Sequence, residues 1–206
     1  MAPAPAPAPG RIRLARPDDV ARLEEICLRT GDGGGDAAGL FREPALITAI
    51  WLHPYLRQAP DLAFVAVDDA DVPLGYVLGV ADTTAFQGWC EDQWWPALRA
   101  RYPRASVPRR SRDAHLVELI HRPDRAPAAV LARYPAHLHV DLLPQGQGQG
   151  WGRALLEHLF GALRDRGVPG IHLGVSPTNT RAIGFYRRMG FTPVDPADAG
   201  LLARRL

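Results

Sequence analysis

His137, His139 and Asp141 alternate along an apolar run from Ala136 to Leu143, and alternation puts all three on one face of a strand. A carboxylate inside such a run must face a cleft or a partner. Desolvation there raises its pKa, so it can take a proton from an ammonium nucleophile, directly or through water. The two imidazoles could complete a base and its orienter. A structural hydrogen-bond network at the sheet edge would explain the same residues, and H-x-H-x-D as three zinc ligands is a weaker reading. Past Pro144, Gly146, Gly148, Gly150 and Gly152 fall at every second position before a helix begins. Glycines that dense leave backbone N–H groups bare where a helix dipole turns positive, and such a turn cradles phosphate.

Three phosphate ligands compete for that turn. A Walker A loop needs a lysine, and the sequence contains none. A dinucleotide fingerprint needs G-x-G-x-x-G and an acid about 20 residues on. Arg153 breaks that spacing, and His172 stands where the acid should be. The third is coenzyme A. Gln147-Gly148-Gln149-Gly150-Trp151-Gly152 has the form Q-x-x-G-x-G, and Asn179, Ala182, Tyr186, Gly190 and Phe191 have the form N-x-x-A-x-x-x-Y-x-x-x-G-F.

Together these two segments resemble motif A and the second cofactor segment of the GNAT superfamily of N-acetyltransferases. TGDGGGDAAG, DQWWPALRARYP and HLHVDLLP resemble, more closely, bacterial acetyltransferases related to the C-terminal domain of O-GlcNAcase. The resemblance covers residues 11–206 and implies a GNAT fold and acetyl-CoA as co-substrate. It implies direct attack by an amine in a ternary complex. Leu142 and Leu143 would offer backbone groups to the pantetheine arm and the thioester oxygen. Gln147, Gly148, Gln149, Gly150, Trp151 and Gly152 would hold the pyrophosphate, with Arg153 adding charge. Asn179 would bond the pantetheine or cap its helix, and Ala182 follows it in the same segment. Tyr186, two turns on, would protonate the departing thiolate. Asp141, Tyr186 and His139 are the catalytic candidates. The O-GlcNAcase domain counts as a pseudo-acetyltransferase, so a silent acyl-CoA-binding or partner-recognition module is the alternative.

The elements that must position these residues read as an α/β domain around a mixed, mostly antiparallel sheet flanked by helices. Strands are expected at 11–15, 61–67, 74–80, 136–143, 171–175, 191–194 and 201–206. Helices are expected at 17–29, 43–56, 150–166 and 178–189. The turn DDADVP makes a hairpin of the second and third strands. A proline-punctuated helical insert, 83–133, lies between strands 3 and 4. There Glu118 and His121, and Asp32 and Asp36 in the glycine-rich loop 31–39, could line an acceptor pocket. Trp89, Trp94 and Trp95 crowd the insert and would anchor it or wall the acceptor.

The 206 residues suit one domain, 11–206, behind a Pro/Ala tail, 1–10, expected to be extended and disordered and unlike a signal peptide. Net charge is +2 and all 24 basic residues are Arg, which looks like codon bias and argues against nucleic acid or membrane partners. Cys27 and Cys90 lack metal spacing, and a reducing cytoplasm suits them.

Overall fold

Alternating apolar residues build seven strands, which the computed structural model joins in one sheet of order β1-β2-β3-β4-β5-β7-β6. The structure describes residues 10–108, 110–195 and 198–206; the expected tail, apart from Gly10, lies outside the described residues. The strands are β1 (Arg11–Leu14), β2 (Ala63–Val67), β3 (Pro73–Val80), β4 (Ala136–Leu142), β5 (Gly170–Gly174), β6 (Thr192–Asp195) and β7 (Asp198–Arg205). Every pairing is antiparallel except β4 with β5. The sheet is thus mixed, mostly antiparallel and flanked by helices, as the sequence led us to expect.

Two helices lie between β1 and β2 on the expected plan, and a third appears. The first is α1 (Val20–Thr30). The expected helix 43–56 is two, α2 (Ala45–Trp51) and α3 (His53–Gln58), broken at Leu52 with φ −125° and ψ −65°. Pro54 has no N–H for the fourth residue back, so the first helix cannot run through it. Proline also shortens the second strand: Pro60–Leu62 forms a 3-10 turn, and β2 starts only at Ala63.

The insert is more regular than its prolines suggested. It holds α4 (Thr83–Trp89), a π-helical turn (Cys90–Trp94), α5 (Trp95–Arg101), α6 (Arg112–His121) and α7 (Ala128–Leu131). Asp82 and Ser111 accept from the amides of Ala85 and Ala114, capping α4 and α6.

After β4 comes α8 (Trp151–Arg164), and after β5 comes α9 (Thr180–Arg188). Leu155, Leu156, Leu159, Phe160 and Leu163 bury one stripe of α8 against the sheet. Its approach is so close that a Cβ at Gly79 would lie 2.5 Å from a Leu159 methyl. Gly79 is the β3 partner of Leu138, so α8 covers the Leu138 face of β4. Residues of α1 cover the opposite face, which carries His137, His139 and Asp141. No helix among the described residues is long and apolar enough to cross a membrane.

Candidate active site

A cleft opens where β4 and β5 part. They pair only at Ala136 with Ile171 and His137 with His172, so from Leu138 onward β3 is the sole sheet neighbour of β4. Backbone groups alternate in direction along a strand. The Leu143 amide donates to Leu74 O, toward β3, at 3.0 Å, and Leu143 O accepts from the Gly146 amide at 2.9 Å. Leu143, expected to offer its backbone to a cofactor, therefore has both groups engaged and its side chain fully buried. The amide that alternation turns to the open edge is that of Leu142. Its carbonyl, on the same side, takes a hydrogen bond of 2.8 Å from Gln147 Nε2.

At the end of this edge the chain turns into α8. The amides of Gly148, Gln149, Gly150, Trp151, Gly152 and Arg153 donate to no protein acceptor among the described residues; bonding resumes at Ala154, which donates to Gly150 O. The helix cap is Gly150 itself, left-handed at φ 88° and without a capping side chain. Gly148 is left-handed too, at φ 77°. Successive bare amides at the positive end of a 14-residue helix form an anion cradle of the right chemistry for a pyrophosphate.

Its other residues have distinct tasks. Gly152 is a packing glycine, because a Cβ there would lie 3.1 Å from the Phe185 ring of α9. Gln149 Nε2 donates to Gln145 O and stiffens the turn. The Trp151 side chain is core, with an Nε1 that finds no partner among the described residues, so only its amide faces the cradle. Arg153 is exposed and makes a loose surface ion pair with Glu157, one turn on, at 3.8 Å.

The polar face of β4 does not form one relay. His137 is bonded on both nitrogens, to Tyr55 Oη and Thr83 Oγ1, each at 2.8 Å. Thr83 has one hydroxyl proton and gives it to Pro135 O at 2.6 Å. His137 Nδ1 must then donate to Thr83, and Nε2 must accept from Tyr55. Burial holds this imidazole well below the usual histidine range, so it is a neutral structural group. The expected hydrogen-bonded link from His137 through His139 to Asp141 is absent among the described residues: His137 bonds Tyr55 and Thr83, Asp141 bonds Tyr76, and the His139 ring packs edge-on against Tyr55.

His139 is half-buried and makes no hydrogen bond among the described residues. Burial pushes its pKa down to about 4, which keeps a lone pair free at neutral pH. Asp141 is half-buried and accepts from Tyr76 Oη at 2.6 Å. Burial raises the Asp141 pKa, and the Tyr76 hydroxyl pulls it partly back. Tyr186 is 9 % exposed and packs against Phe185 and Phe191. Its hydroxyl makes no hydrogen bond among the described residues, and burial with the nearby Asp141 charge keeps it protonated.

Asn179 caps α9 by accepting from the Ala182 amide at 3.0 Å, while its Nδ2 donates to Gly33 O at 2.7 Å. The cap reading therefore holds, and the side chain ties loop 31–39 to α9. Asp32 of that loop meets Arg112 of α6, and Asp36 accepts from the Ala38 amide. Glu118 pairs with Arg104, and His121 with Tyr102 O, inside the insert and apart from β4. Trp89 stacks on Trp94, whose Nε1 donates to Ala49 O, and Trp95 is buried. These are anchors of the insert. Sequence reasoning missed Tyr76, Thr30 and Tyr55. Tyr76 comes opposite Asp141 through the long-range pairing of β3 with β4 across the insert, which no local pattern encodes. Tyr55 and Thr30 come from helices whose placement no local pattern encodes. Among the described residues, no group of three or more His, Cys, Asp or Glu side chains could hold a metal ion.

Known proteins share this fold. Residues 36–191 match the model of the acetyltransferase (GNAT) family. The crystal structure of SsHAT superposes with a TM-score of 0.88 at 42% identity, covering 96% of this chain and 98% of that one. Rat protein O-GlcNAcase (Rattus norvegicus) is 26% identical over 204 residues, 95% of this chain, which spans only 22% of that relative's length. A ribosomal protein alanine N-acetyltransferase of Escherichia coli is 50% identical over 48 residues, 23% of this chain and 32% of its own.

Proposed function

The chain belongs to the acetyltransferase (GNAT) family, and from that premise we propose that it moves the acetyl group of acetyl-CoA to an amine by direct attack within a ternary complex. The observation that carries the reading is the run of unpartnered amides from Gly148 to Arg153 at the end of the open β4 edge. The pyrophosphate sits on those amides and the pantetheine runs along β4. The thioester oxygen then lies at the Leu142 amide.

The acceptor enters as an ammonium. Asp141 takes one proton, with the neutral His139 ring accepting a hydrogen bond from the nitrogen or from a bridging water. The freed lone pair attacks the carbonyl carbon, forming the N–C bond, and the oxygen takes up charge against the Leu142 amide. Collapse breaks the C–S bond. The thiolate takes its proton from Tyr186, which is refilled by the second proton leaving nitrogen. One proton per turnover goes to solvent. Cys27 and Cys90 are buried free thiols, so no covalent acetyl-enzyme is invoked, and they suit a reducing, cytoplasmic setting. Most of the rate comes from positioning and the oxyanion contact.

The test is thiol release from acetyl-CoA with a panel of small amines, aminosugars and peptides bearing free N-termini or lysines. Release that depends on an acceptor supports the reading. Tight acetyl-CoA binding with no release from any acceptor would instead favour a silent binding module.

A further inference from the structure

We propose that Tyr76 is a positioning residue for acyl transfer: its hydroxyl holds one oxygen of the Asp141 carboxylate and leaves the other to receive the acceptor's proton. The proposal rests on the reading of Asp141 as proton acceptor. Tyr76 and Asp141 are direct cross-strand partners on β3 and β4. The Tyr76 hydroxyl donates to Asp141 Oδ2 at 2.6 Å from a side chain that is 0% exposed. A ring so enclosed cannot swing away, so the carboxylate is fixed about its own axis. Cys27 of α1 also lies beside the hydroxyl.

No cation among the described residues shares this task. The groups facing Asp141 are Tyr76 from β3, Cys27 and Thr30 from α1, Tyr186 from α9 and His139 along β4. Cys27 is pushed up to about 12 and stays a thiol, both tyrosines stay phenols, and His139, at about 4, stays neutral near pH 7. Thr30 spends its proton on Ile26 O at 2.7 Å. The Tyr76 O–H is thus the principal donor to the carboxylate.

Tyr76→Phe keeps the ring and removes that donor. Titration of the labelled Asp141 carboxyl carbon by NMR, on the protein alone, will show its midpoint rising by on the order of one pH unit, the tenfold that a hydrogen bond to a charged group confers. The acid limb of kcat/KM for thiol release will rise with it, while KM for acetyl-CoA stays unchanged. An unmoved midpoint in folded protein overturns the role of Tyr76. If Tyr76→Phe does not fold, 3-fluorotyrosine at position 76, a stronger donor, must lower the midpoint, and no shift is equally fatal. Asp141→Asn separates the two layers. An acid limb that survives it removes Asp141 as the base, and with it the premise, whatever Tyr76 does to the midpoint.

Discussion

Asp141 and His139 stand two residues apart on one strand face, and burial moves their pKa values in opposite directions. The Asp141 pKa is raised, so its proton adds stability below the ordinary carboxylate range, and that contribution is lost as pH rises through the folded value. His139 and His137 are depressed. Their neutral forms add stability above the ordinary histidine range, and it is lost as pH falls through that range toward the His139 value of about 4. Asp141→Asn will therefore raise the melting temperature more at pH 8 than at pH 4 while reducing kcat/KM, a trade of activity for stability; scanning calorimetry at the two pH values reads it, and an equal change at both contradicts the assignment. Tyr186→Phe will lower kcat by part of the ~10²–10⁴ that an acid contributes, because a thiolate is a tolerable leaving group, with KM for acetyl-CoA little changed. Alternation alone made this face legible. Its partners were not, because Tyr55, Thr83 and Thr30 reach His137 and Asp141 from elements distant in the sequence.

The β4 to α8 connection was the most readable element. Its glycines announced a bare-amide turn, and the turn has that form. What four evenly spaced glycines could not reveal is that they serve different ends: Gly148 and Gly150 supply left-handed backbone, Gly152 admits Phe185, and Gly146 lies 3.0 Å, by its missing Cβ, from Leu142. Gly150→Ala will cost about 1–2 kcal/mol of left-handed strain and weaken acetyl-CoA binding. Denaturant unfolding and calorimetry measure the two effects. Gly152→Ala will instead displace α9 against α8, and its loss will appear mainly in stability. The residues themselves did not mark the parting of β4 from β5, since both strands read as ordinary apolar runs. It follows from long-range pairing, with β7 taking the far side of β5. The break at Leu52 was a misjudgement of Pro54, which outweighed the apolar periodicity around it.

At the scale of the molecule, two walls meet over one open strand edge: the α8–α9 side, which holds the cradle and brings Tyr186 near Asp141, and the α1–α2–insert side, from which α1 brings Cys27 and Thr30 to it. The insert is fastened by polar contacts more than by continuous sheet. Asp113 of α6, 3% exposed, accepts from the amides of Arg42 and Glu43 at 3.0 and 2.9 Å, and Trp94 donates to Ala49 O. Asp113→Ala strands two backbone donors and will cost about 2–3 kcal/mol, read as a lower denaturation midpoint with acetyl-CoA affinity preserved. The central claim concerns the opposite wall, that the amides from Gly148 to Arg153 grip the diphosphate of acetyl-CoA. Isothermal titration calorimetry tests it most directly, with acetyl-CoA run beside acetyl-pantetheine, which carries the thioester and arm without the diphosphate. We predict saturable heat with acetyl-CoA and a large loss of affinity with acetyl-pantetheine; no heat with acetyl-CoA at millimolar levels, or equal binding of the two, would contradict the account.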